Sequence, residues 1–242
     1  MTAKPIVAES LTKTYPGGVQ ALRGLSFSVE WGEIFALIGP NGAGKTTTLR
    51  ILSTLILPSG GSARILDHDV VAEPMKVREV IGYLPEEAGA YPRLTGIEFL
   101  RFVAAVRGKG EEAVEVGVQL SGLGDRLRER IKGYSKGMVR RLLLASVLMT
   151  DPKVAILDEP TSGMDVLHST YIRRMIKEWV QDGERAVLLS SHNMLEVEYL
   201  SDRVLIISGG VSLLEGEPRE IMERFNAPNL EEVFVEVVKG AH

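Results

Sequence analysis

The apolar run Ile34-Phe-Ala-Leu-Ile38 leads into Gly39-Pro40-Asn41-Gly42-Ala43-Gly44-Lys45-Thr46, and this stretch decides the fold. The run reads as a buried strand, and a helix is expected from Lys45 to about Leu55. Gly39-x-x-x-x-Gly44-Lys45-Thr46 is a complete P-loop pattern, set between strand and helix as the pattern requires. Gly39, Gly42 and Gly44 let the backbone wrap closely, so that N–H groups along Asn41 and Ala43 point at phosphate oxygens. The helix N-terminus, through Thr46 and Thr47, adds the positive end of its dipole. Lys45 is placed to bridge β- and γ-phosphates, and the Thr46 hydroxyl to ligate Mg²⁺. Taken alone, the loop says only that the chain holds a nucleoside triphosphate.

Outward from the loop, residues 6–11 and 25–29 alternate apolar and polar side chains, with a turn at Pro16-Gly17-Gly18 between them. Pro58-Ser-Gly-Gly61 marks a second turn before a strand near residues 63–66. From Ile97 to about Leu123 the pattern is helical, with Phe99, Phe102, Val103 and Val106 expected on one face, and a further helix covers residues 138–149. Strands are expected at 154–157, 186–189 and 204–207, with a helix around 171–181. This alternation predicts an α/β fold with a mainly parallel central sheet and helices on both faces. An antiparallel β part precedes it and a helical part is inserted into it. The expected organisation is one domain: residues 1–87 and 151–216 for the β and core parts, 88–150 for the helical insert, and an acidic helical tail over 217–242.

The bulk properties exclude several classes. Among 242 residues, 45% are hydrophobic and 25% charged, an ordinary globular balance without low complexity. A net charge of −4 makes a nucleic-acid partner a poor expectation. With no cysteine, disulfides, thiolate metal sites and a catalytic Cys are excluded. No apolar run approaches the roughly 18 residues that cross a bilayer, so a membrane role is expected to come through a partner. Between Arg93 and Arg141, 11 Lys/Arg face 6 Asp/Glu, against the sign of the whole chain. This is either a solvated face or a contact with an acidic partner or lipid headgroups.

Two further motifs bear on chemistry. Val154-Ala-Ile-Leu157-Asp158-Glu159 is an apolar strand ending in two carboxylates. Beside a P-loop, Asp158 is placed to hold Mg²⁺ and Glu159 to polarise the water that attacks the γ-phosphate. Ser190-Ser191-His192 follows the strand at 186–189, on the edge of a parallel sheet where ligands bind. There His192 can hydrogen-bond the γ-phosphate and sense its loss.

With these residues in order, the chain resembles the nucleotide-binding subunits of ABC transporters over almost its whole length. Tyr134-Ser135-Lys136-Gly137-Met138 resembles the family's signature, usually Leu-Ser-Gly-Gly-Gln. The resemblance implies that Ser135 and Gly137 contact the γ-phosphate of ATP held by the other subunit of a dimer. It implies that Tyr15 stacks on adenine and that Ser162-Gly163-Met164-Asp165 is the D-loop crossing the dimer interface. Gly82-Tyr-Leu-Pro85-Glu86-Glu87 resembles the Q-loop, but Glu86 stands where the family has Gln; a carboxylate there can still ligate Mg²⁺. The variant signature is most similar to subunits of the drug, sodium or polysaccharide export type. The resemblance thus implies a P-loop ATPase with a RecA-like core. It takes ATP and Mg²⁺, forms a homodimer or a heterodimer with a similar ATPase, and drives a separate transmembrane permease from the cytoplasmic face of the membrane. The alternatives are an ABC-type machine acting on ribosomes or DNA, against which a single P-loop and absent heptads argue, and a non-hydrolysing regulatory subunit, against which the intact Lys45, Asp158, Glu159 and His192 argue.

Overall fold

Every residue of the run 34–38 is buried, as a strand covered on both faces must be. The structure, a computed structural model, describes residues 4–240. In chain order its elements are β1 (Ile6–Thr14), β2 (Gln20–Val29), β3 (Ile34–Ile38), α1 (Lys45–Leu52), β4 (Gly60–Ile65), β5 (His68–Asp69), α2 (Pro74–Val80), β6 (Ile81–Leu84), α3 (Gly96–Val106), α4 (Glu111–Ser121), α5 (Lys136–Leu148), β7 (Val154–Asp158), α6 (Val166–Val180), β8 (Ala186–Ser191), α7 (Met194–Leu200), β9 (Arg203–Ser208), β10 (Val211–Gly216), α8 (Pro218–Phe225) and α9 (Leu230–Gly240). The central sheet runs β10-β9-β3-β8-β7-β6. It is parallel throughout except for β10, which pairs antiparallel with β9 at one edge. A second, antiparallel sheet runs β2-β1-β4-β5.

The two-residue side-chain period divides β3 between two cores. Phe35 and Leu37 join Leu11, Leu25, Leu49, Ile156 and Leu188 in one buried cluster. Ile34, Ala36 and Ile38 join Leu142, Leu144, Ile172, Ile176 and Val197 in the other. Only the second face is covered by helices alone. On the first, α1 shares the cover with the antiparallel sheet, because Ile6, Leu11, Leu22 and Leu25 carry an apolar face that must itself be buried. Parallel pairing then brings the C-terminal ends of β3, β7 and β8 to one edge, where crevices form.

The helical insert differs from expectation in two respects. The helix expected over 97–123 is two, α3 and α4, parted at Arg107-Gly108-Lys109-Gly110, where Gly108 takes a left-handed φ of 64°. Thr95 starts α3 through a capping box, its hydroxyl accepting the Glu98 N–H while the Glu98 carboxylate accepts the Thr95 N–H. The buried stripe of α3 is Gly96, Phe99, Leu100 and Ala104. Phe102 and Val106 are instead 45% and 69% exposed. Phe102 packs edge-on to Tyr91, ring centres 5.3 Å apart, on the outer side. The expected face was rotated because apolar spacing alone cannot tell a core stripe from an exposed apolar one. Part of the insert's basic surplus is committed to backbone carbonyls of this chain. Arg107 donates to the carbonyls of Arg78 and Ile81, and Arg141 to that of Ser121. Shorter misses are α1, which ends at Leu52 ahead of a left-handed Thr54 (φ 59°), and the elements α2, β6, α7 and β10, too brief to show a period.

Candidate nucleotide-binding and hydrolysis site

The loop after β3 closes at Gly44, whose φ of 108° is open to glycine and strained for any other residue. Gly44 is the N-cap of α1 and brings no side-chain acceptor to the first-turn N–H groups. A helix start of this kind is an anion site. Lys45 is buried, and its Nζ donates to the carbonyls of Gly39 at 2.6 Å and Pro40 at 3.3 Å. Burial lowers its pKa, against the upward pull of Glu159, Asp158 and Glu86.

Beside the loop, β7 delivers the two carboxylates. Asp158 is 1% exposed. Its Oδ1 accepts from Ser190 Oγ at 2.6 Å and from Thr46 Oγ1 at 3.3 Å. The Ser190 hydroxyl also accepts the Glu159 N–H at 3.0 Å. Parallel pairing of β7 with β8 sets Asp158 directly beside Ser190, so the register itself makes this contact. Glu159 has φ 49°, a left-handed conformation that a non-glycine residue keeps only where its surroundings over-determine it. Four contacts do so: the N–H to Ser190, the carbonyl to Arg140 Nη2 at 2.9 Å and to the Ser162 N–H at 3.2 Å, and the carboxylate to His192 Nδ1 at 2.8 Å. Burial raises the Glu159 pKa, while His192 and Lys45 draw it back down.

A cavity of about 430 Å³ opens over these groups, lined by Tyr15, Asn41, Gly42, Ala43, Gly44, Lys45, Thr46, Thr47, Glu86, Glu159 and His192. Of the residues singled out in the sequence, Gly39 and Asp158 lie beneath that lining, reached through Lys45 and Thr46. The Tyr15 hydroxyl is 3.3 Å from Thr47 Oγ1, which stands its ring beside the loop. Val19, Gln20 and Ala21 also line the cavity and were not anticipated. An apolar residue, Val19, directly after the Gly17-Gly18 turn was the available signal.

Ser135 and Gly137 stand apart from this cavity. Ser135 N-caps α5, accepting the Met138 N–H at 3.2 Å. A Cβ on Gly137 would overlap the His168 ring of α6, so this glycine has a packing reason as well as any phosphate-binding one. Their neighbours Tyr134 and Lys136 line a second cavity of about 480 Å³, which shares Glu86 and Glu159 with the first. Asp165 of the segment 162–165 N-caps α6 by accepting the His168 N–H at 2.9 Å.

The residues also fit a phosphate-bound cation. Thr46 Oγ1 and the Asp158 carboxylate present adjacent hard oxygens, and Glu86 adds a carboxylate to the cavity wall. Among the described residues, no three His, Cys, Asp or Glu side chains gather as a self-sufficient metal cluster. Mg²⁺ shared with a triphosphate does not need one.

Sequence reasoning missed three supports of the site. Ser190 and Arg140 hold the backbone of Glu159, and the Thr161 hydroxyl just beyond it donates to the buried carboxylate of Glu196 in α7. For Arg140, the signal was a cation next to the apolar run 142–145 of a core helix.

The family model described as ABC transporter matches residues 22–162. The ABC transporter ATP-binding protein NatA of Bacillus subtilis (strain 168) is 34% identical, over 92% of this chain and 92% of its own. The daunorubicin/doxorubicin resistance ATP-binding protein DrrA of Streptomyces peucetius is 36% identical, over 90% of this chain and 67% of its own. A solved structure of an ATP-binding subunit of an ABC transporter superposes with a TM-score of 0.86 at 28% identity, covering 96% of this chain and 99% of that one. Among the described residues no helix is long and apolar enough to cross a membrane. With its phosphate loop, paired carboxylates and histidine gathered at one sheet edge, the chain belongs to the ABC transporter family as an ATP-binding, ATP-hydrolysing member.

Proposed function

We propose that this chain works as one of a head-to-tail pair that closes around two MgATP and drives a separate membrane permease, moving its cargo outward. The observation that carries the pairing is that the α5 start lies outside the chain's own nucleotide cavity. Ser135 and Gly137 do not line the chain's own cavity. They are therefore free to complete the site of a second copy or of a similar ATPase. Two shared sites give the large differential affinity between open and closed states that a conformational switch needs.

Within each site the residues divide the work. The Tyr15 ring takes the adenine. The N–H groups of the loop 39–46 and Lys45 take the β- and γ-phosphates, whose oxygens replace the carbonyls that now hold the ammonium. Thr46, Asp158 and Glu86 would hold Mg²⁺, which would offset the negative charge of the phosphates. Glu159 removes a proton from the attacking water as the bond from the γ-phosphorus to the bridging oxygen breaks. His192, held at Nδ1 by Glu159, presents its other ring nitrogen to the γ-phosphate.

The part over 88–150 acts as the moving insert, 1–87 and 151–216 as the nucleotide-holding core, and 217–242 as a tail packed by α9 against α7. The exposed Tyr91, Phe102 and Val106 offer the permease an apolar contact beside the Glu86 loop. In this reading the chain works from the cytoplasmic face of the membrane. Outward transport is supported by the resistance name of the DrrA relative. The test is Glu159→Gln, which is expected to bind ATP, cease hydrolysis and accumulate as a dimer under MgATP. Wild-type turnover in that variant sinks the role of Glu159, and a monomer at saturating MgATP sinks the pairing.

A further inference from the structure

We propose that Arg140 is a positioning residue that couples the two nucleotide sites: it ties the helix meeting one nucleotide to the catalytic carboxylates at the other. The proposal rests on the head-to-tail pairing and adds a route between its two sites.

Arg140 lies in α5 and is 8% exposed. A guanidinium has five N–H donors, and all five are engaged. Nε donates to the carbonyl of Pro160 at 3.0 Å, Nη1 to those of Pro85 and Glu86 at 2.7 and 3.0 Å, and Nη2 to those of Asp158 and Glu159 at 2.7 and 2.9 Å. All five acceptors are backbone carbonyls. They belong to the segments leaving the neighbouring strands β6 and β7. One side chain therefore sets the spacing of Glu86 from Glu159 and holds the left-handed backbone of Glu159 in place. Arg141, the next residue, serves a different body: it donates to Ser121 and stacks on the Tyr171 ring at 3.7 Å.

The same helix begins at the Ser135 cap. Arg140 follows five residues later, about 7.5 Å along the axis, and such a short helix moves as a unit. When the α5 N-terminus engages the partner's nucleotide, its displacement reaches the carbonyls of Glu86 and Glu159 at this chain's own nucleotide. Lysine cannot substitute, since its three donors radiate from a point and cannot span five carbonyls in a planar fork.

The test compares Arg140→Lys with Arg141→Lys in the full chain, using MgATP. Arg140→Lys is expected to bind ATP within about threefold of wild type, to lose kcat by about a hundredfold, and to bring the Hill coefficient for ATP to one. Arg141→Lys is expected to keep the wild-type Hill coefficient. If Arg140→Lys lowers only thermal stability, with kcat and the Hill coefficient intact, the role is packing and the proposal is overturned. A wild-type Hill coefficient of one together with a monomeric Glu159→Gln chain instead overturns the pairing beneath it. Should Arg140→Lys not fold, hydrogen exchange at the amides of residues 86–88, 159, 161 and 162 decides the matter. MgATP is expected to protect these amides in wild type and not in Ser135→Ala, and equal protection in both overturns the coupling.

Discussion

Replacing Ser190 by alanine tests the architecture of the site through one buried hydroxyl that performs two tasks. Ser190 is fully buried at the end of β8, donates to Asp158 at 2.6 Å and accepts the Glu159 N–H at 3.0 Å. Losing a hydrogen bond to a charged acceptor costs about 1.5–3 kcal/mol, and orphaning a buried N–H costs about 1–3 kcal/mol. The two losses share one atom and do not simply add, so the expected destabilisation is about 3 kcal/mol. In a chain of this size that lowers Tm by about 6–12 °C. Guanidinium unfolding of the nucleotide-free protein measures the first figure and calorimetry the second. Catalysis should fall too, since Glu159 loses one of four contacts holding it in its left-handed conformation. Because Ser190 does not line the nucleotide cavity, kcat is expected to drop at least about tenfold while ATP affinity stays within about threefold. A destabilisation below about 0.5 kcal/mol with wild-type kcat would refute the claim that Ser190 positions both carboxylates.

Tyr15→Ala is expected to weaken ATP binding by about 1–3 kcal/mol and Tyr15→Phe to leave it nearly unchanged, since the ring and not the hydroxyl supplies the stack; fluorescent-ATP titration of both checks this. Gly137→Ala should destabilise the chain by about 1–3 kcal/mol through overlap with the His168 ring, and Gly137→Ala/His168→Ala should recover most of that loss in the same unfolding assay. Recovery of stability without recovery of ATPase activity would assign Gly137 a phosphate contact besides its packing one. Because burial raises the Glu159 pKa in the nucleotide-free protein, the acid limb of kcat/KM should lie above the ordinary carboxylate range of about 4.3, which a pH–rate profile reads directly. Burial also raises the pKa of Glu196, whose Oε1 is buried without a hydrogen-bond partner. The folded chain then holds this proton longer than the unfolded one, so stability is lost as pH rises through the folded pKa. Glu196→Gln should therefore raise Tm at pH 8 and change it little below about pH 4.

Residues 34–47 could be read directly because each of their signals is local. An apolar run, a glycine-spaced loop and a helix start lie within a few residues of one another, and their order fixes what the backbone can do. The same holds for Asp158 and Glu159, two acids that end a strand otherwise made of Val, Ala, Ile and Leu. A change of period likewise marked residues 97–123 and 138–149 as helical, where α3, α4 and α5 lie. Sequence could not orient α3, since Phe102 and Val106 repeat as regularly as the residues that are buried. Nor could it find the partners of Arg140, since Glu86 and Glu159 lie 54 and 19 positions away. The Ser190 contact, 32 positions from Asp158, depends on which strands are neighbours in the sheet and on their register. Thus the sequence by itself determined the glycine-spaced loop between strand and helix, the acids that end β7 and the ATPase class, because short-range backbone geometry dictates them. The tertiary structure alone decided what holds those acids in place, because a buried donor takes the carbonyl or carboxylate that strand order and helix packing set beside it.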